Sequence, residues 1–128
     1  MKLLLQVAVL IVLAAAAVLA AENRSGYLVD YRCYQIASGN VGAGSTHADT
    51  HMDSHVRQCP PNGKTKSFGL VQFDWKVYEL TSAGDAKAAE LVRNAGKQRM
   101  YVVNTIGSIE AGLLNVDSVA IAKKSGSN

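Results

Sequence analysis

The sequence is poor in charge, in sulfur and in catalytic signatures. Charged residues fill only 18% of its 128 positions, and thirteen basic against ten acidic side chains leave a net charge of +3. A surplus that small keeps a chain soluble but leaves no electrostatic footprint for DNA or RNA. The pI near 9.0 has the same origin, because two or three extra cations move a lightly charged chain that far. There is no G-x-S-x-G elbow, no glycine-rich phosphate loop and no H-E-x-x-H helix. Asp30, Asp49, Asp53, Asp74 and Asp85 suit turns, caps or surface, so no carboxylate pair is placed for acid–base work. The expectation is a non-enzyme.

What is present begins with Met1-Lys2 and a stretch from Leu3 to Ala21 in which Gln6 is the only polar residue. One basic residue, an apolar run and a small-residue exit form the three-part pattern of a signal peptide. Val18 and Ala20 fit the −3 and −1 positions, which puts cleavage after Ala20. The competing reading is an uncleaved anchor, since about 20 apolar residues span a bilayer. The Ala14–Ala17 run makes the second half only mildly hydrophobic, and no cysteine at the exit marks a lipoprotein. Residues 1–20 are therefore read as a leader and 21–128 as one domain with a frayed tail from about 123, exported to a periplasm or secreted. An unspecified ligand or protein is the expected partner. Nucleic acid is not expected, and a membrane only through a leader left uncleaved. Asn23-Arg24-Ser25 matches a glycosylation acceptor, relevant only in a eukaryotic secretory pathway.

The periodicities predict a mainly β domain with two short helices. Tyr27–Tyr34, Phe68–Phe73, Trp75–Leu80, Met100–Ile106 and Leu113–Ile121 read as strands, rich in aromatic and β-branched residues. Residues 37–45 (ASGNVGAGS) read as a loop, and Gly107–Gly112 as the last connection. A first helix is predicted over Thr46–Cys59, stopped by Pro60-Pro61, with Ala48, Met52, Val56 and Cys59 within about 80° of arc. A second runs over Asp85–Ala95, capped by Asp85 and closed by Gly96. The order β-α-β-β-α-β-β is that of a five-stranded OB-like barrel. A small α+β sheet with helices on one face is the alternative.

These segments resemble a family of small exported bacterial proteins of unknown function with predicted OB-like domains. The resemblance rests on Leu28-Val29-Asp30-x-x-Cys33-Tyr34, Gly69-Leu70-Val71, Lys76-Val77-Tyr78-x-Leu80, Asn94-Ala95-Gly96-Lys97 and Leu114-x-Val116-x-Ser118-Val119. It spans nearly all of the chain after the leader and implies export and an OB-like fold, with little bearing on activity. Relatives carry H-x-x-C-x-x-x-C after the first strand's cysteine. Here Cys59 matches the last cysteine, His55 stands in place of the first, and His51 lies one residue from the histidine. Trp75 also stands where an Asp-Gly pair would suit a tight turn.

All three histidines fall in the series His47-x3-His51-x3-His55-x3-Cys59. Each step of four advances about 40° around a helix, so neighbours in the series stack. Two imidazoles at i, i+4 can grip one transition metal, zinc or copper for instance. The series as a whole turns through about 120°, too far for all four groups to converge. The better set is His51 and His55 with Cys59 and Cys33 completing a tetrahedral site. Of the histidines, His55 lies nearest the apolar stripe and His47 farthest from it. The competing reading pairs Cys33 with Cys59 in a disulfide, the default for an even pair in an oxidising compartment. The histidines would then be solvated or hold a metal weakly. A Cys59–His55 nucleophile pair would need a free thiol. Lys64, Lys66 and Lys76 with Phe68, Phe73 and Trp75 imitate a nucleic-acid face, which export and the low charge disfavour. Trp75, at a hairpin tip, is either a binding anchor or a cross-strand packing residue.

Overall fold

The structure is a computed structural model and describes residues 21–39 and 52–123. Residues 1–20, the predicted 37–45 loop beyond Gly39, His47, His51 and the residues after Lys123 lie outside the described residues. Strand β1 (Glu22–Asp30) ends where Asp30 turns the chain into helix α1 (Tyr31–Ser38). The Asp30 carboxylate accepts from the Cys33 N–H at 3.0 Å, and Gly39 closes the helix at φ 74°. The strand predicted through Tyr34 therefore stops four residues early, because an aspartate able to satisfy an orphan helix N–H outweighs the β-rich composition after it. This helix is a third one, absent from the two predicted.

Helix α2 (Met52–Gln58) carries Asp53 in its first turn and Arg57 in its last, each complementing the helix dipole, and Pro60-Pro61 prevents continuation. Strands β2 (Phe68–Gln72) and β3 (Val77–Glu79) form the predicted hairpin with a longer turn. Helix α3 (Ser82–Ala95) starts one turn earlier than Asp85, since Thr81 caps it by accepting the Gly84 N–H at 3.1 Å. Asp85 instead reaches across to accept the Phe68 N–H at 3.0 Å. Strands β4 (Tyr101–Glu110) and β5 (Leu113–Ile121) meet at a two-residue turn, Ala111-Gly112, in which both residues have positive φ. That is the twist-matched hairpin turn. The residues predicted as a connection, 107–110, continue the strand through a bulge between Ile106 and Gly107.

The five strands make one antiparallel sheet in the order β3-β2-β1-β4-β5, curled into a half-barrel. Its two outer strands approach through a single parallel bridge, Leu80 to Leu114, beside which the Thr81 N–H donates to the Leu114 carbonyl at 3.0 Å. Gly26 and Gly107 sit where a Cβ would run into the backbone of the next strand, at Val71 and Asn115, so both close approaches need glycine. Inside the curl lies the larger core, with Leu28, Phe68, Leu70, Tyr101, Val103 and Leu114 packed against Ala88 and Val92 of α3. A smaller cluster on the outer face joins Val29 and Val71 to Tyr34, Val56 and Cys59. Helices therefore cover both faces, unlike the one-faced α+β alternative.

Candidate functional site

The excursion between β1 and β2 is fastened at its base. Cys33 on α1 and Cys59 after α2 form a disulfide, with Cα atoms 5.6 Å apart. The Asp30 N–H donates to the Cys59 carbonyl and the Tyr31 N–H to the Ser67 carbonyl, both at 3.0 Å. The second Asp30 oxygen accepts from buried Thr65 Oγ1 at 2.9 Å, so one carboxylate ties β1, α1 and the 62–65 turn together.

Of the two readings of the sulfurs, the structure holds the disulfide. Bonded sulfurs are not thiolate ligands, so Cys33 and Cys59 do not serve in that role here; of the two histidines expected beside them, His51 lies outside the described residues. Among the described residues no group of three or more His, Cys, Asp or Glu side chains comes together. Nor does Cys59 offer a free thiol to His55. The His55 ring lies edge-on to Tyr34 with centroids 6.4 Å apart and is half-buried. Trp75 is 55% exposed and occupies the left-handed position (φ 75°) of a three-residue hairpin loop. In that loop Trp75 N–H donates to the Gln72 carbonyl and Gln72 N–H to the Lys76 carbonyl. Asn23 is exposed near the start of β1.

Sequence reasoning missed a groove of about 840 Å³ beside α2, on the outer face of the sheet. Asp53 and Arg57 from α2, Pro60, Tyr27 from β1 and the connection Lys97-Gln98-Arg99-Met100 line it. A second hollow of about 510 Å³ shares Pro60, Lys97 and Gln98 with it and adds Arg93. Both volumes lie in the range typical of small-ligand sites. Phe73 extends the apolar floor, packing edge-on to Tyr27 with centroids 5.3 Å apart. The strand register explains this: Tyr27 opposes Val71 on β2 and Val102 on β4, so Phe73 and Met100, two residues further along each partner, share its face. The one legible signal was the basic run Lys97-x-Arg99 directly after the helix-ending Gly96.

Among the described residues two groups, Tyr31 and Asp85, are shifted from their ordinary ranges. Burial, and secondarily the charge of Glu79, raises the Tyr31 phenol. Burial also raises Asp85, the Phe68 N–H opposing it and Glu79 adding to it. Neither lines the groove, and both face the join between the sheet and its helices. No helix among the described residues is long and apolar enough to cross a membrane. Comparison with family models, curated proteins and solved structures finds no significant match.

Proposed function

We propose that this chain is an exported, non-enzymatic binding protein built on a disulfide-stapled OB-like barrel, with its ligand seated in the groove between α2 and the 97–100 connection. A disulfide is compatible with an oxidising destination and with the leader read in residues 1–20. The OB-like reading draws support from a helix placed between the third and fourth strands and from outer strands that meet through one parallel bridge, a partly open barrel. The resemblance to small exported bacterial OB-like proteins agrees with it.

The observation that carries the binding reading is the groove itself: concave, floored by Tyr27, Pro60 and Met100, and rimmed by a few charged groups. NMR titration of the 15N-labelled protein with a fragment library of mixed charge tests it. Hits are expected to shift Tyr27, Arg57 and residues 97–100 together. A library whose hits scatter over the surface, or miss this set, removes the proposal.

A second reading rests on the four-residue histidine spacing: a weak zinc or copper site at His51 and His55 without the sulfurs. Equilibrium dialysis is then expected to show metal uptake that His51→Ala with His55→Ala abolishes. Equal uptake by both proteins ends it.

A further inference from the structure

The groove's charge is out of proportion to the rest of the chain. Among the described residues Arg57, Lys97 and Arg99 line it against one carboxylate, Asp53, although the whole chain carries only +3. Arg93 borders the adjoining hollow. Among the described residues none of these four cations is in an ion pair, and the one salt bridge there is Arg24 with Glu22. Arg57 Nε donates to the Asp53 backbone carbonyl at 3.2 Å rather than to its carboxylate. Like charges gathered in one hollow repel one another, and an anion that enters relieves this while gaining charge-assisted hydrogen bonds.

The floor of the groove is apolar. Met100 is 38% exposed and Phe73 54% exposed, with Tyr27 between them. From the β4 side to the β2 side this floor crosses two strand spacings, about 10 Å. That length matches an alkyl chain or a fused ring pair. Inorganic phosphate would use only the cationic end, and a neutral apolar ligand only the floor.

Building on the groove reading above, we infer that the ligand is a monomeric amphipathic organic anion. Its acidic head lies among Arg57, Lys97 and Arg99, and its apolar body along Met100, Tyr27 and Phe73. A membrane surface fits less well, because the cations line a concavity while a bilayer offers a broad face.

Calorimetric titration with dodecanoate, kept below its micelle concentration, tests the assignment against dodecyl maltoside, inorganic phosphate and anionic phospholipid vesicles, with 15N NMR locating the site. Saturable one-to-one binding of dodecanoate at the groove is expected. Lys97→Gln with Arg99→Gln should weaken it about tenfold or more, as expected for loss of charge-assisted contacts. Phe73→Ala should weaken it by a smaller factor, and Lys97→Arg should preserve it. All these positions are exposed, and matching melting curves confirm that the variants fold. Dodecyl maltoside binding the groove as tightly as dodecanoate would overturn the anion assignment and leave the groove reading intact. So would a double glutamine variant of undiminished affinity, or capture by vesicles without binding of the monomer. A groove that takes none of these probes, and no fragment either, would remove both readings.

Discussion

Reduction of the Cys33–Cys59 bond should loosen the excursion before it loosens the sheet. The bond closes a loop of separation 26. A crosslink of that span restricts the unfolded chain by about 12 cal/mol/K, or about 3.5 kcal/mol at 25 °C. The loss should concentrate locally, because among the described residues the outer cluster buries Val29, Tyr34, Val56, Cys59 and Val71, and α2 spans seven residues. A helix that short does not persist in water without support. Urea unfolding with and without a phosphine reductant measures the total, and native-state hydrogen exchange locates it. We expect a stability loss approaching the 3.5 kcal/mol figure. Amides of residues 53–59 should exchange fast in the reduced protein while Leu28, Leu70 and Val103 stay protected. A loss below about 1 kcal/mol would show that the staple barely restricts the unfolded ensemble. Simultaneous loss of protection in both sets would show that the two clusters are one cooperative unit.

Other substitutions probe the frame. Asp85→Ala strips the acceptor from the Phe68 N–H and should cost about 1–3 kcal/mol, whereas Asp85→Asn keeps an oxygen there and should cost far less; chemical denaturation separates them. Because the folded Asp85 carboxyl is raised above 3.8, the folded state holds its proton more tightly. Its contribution to stability is thus favourable below that value and is lost as pH climbs through the raised one. Asp85→Asn should flatten this descent in a pH series of unfolding curves, and an unchanged slope would contradict the assignment. Trp75→Asn relieves a left-handed backbone that bulky residues adopt at a cost of about 1–2 kcal/mol, so the melting temperature should rise; a fall would mean the indole packs more than its exposure indicates. Ala111→Asn gives the β4–β5 turn the Asn-Gly pair it favours and should stabilise by roughly 0.5–1 kcal/mol, read the same way.

Much of the frame was legible because burial periodicity governs it. Val103, Thr105 and Gly107 alternate inward along β4, and Ala88 and Val92 mark the buried face of α3. The errors cluster where a polar side chain competes with composition. Asp30 ends a strand that Tyr31 and Tyr34 would otherwise extend, and Thr81 starts a helix before the more conspicuous Asp85. The cysteine pairing followed from compartment logic, whereas the histidine series drew attention from the groove. Tyr27, Arg57 and Met100 lie far apart in sequence and meet only through the register of β1 with its neighbours and the packing of α2, which no local pattern encodes.

The sulfur–sulfur link also has a consequence for how the chain would look once damaged. A protease cutting anywhere between Cys33 and Cys59 leaves two fragments still covalently joined. Clipped protein would travel with intact protein in a denaturing gel and fall apart only when reductant is added. Nicking inside that ring, which includes every histidine of the chain, would leave both halves of the sheet tethered.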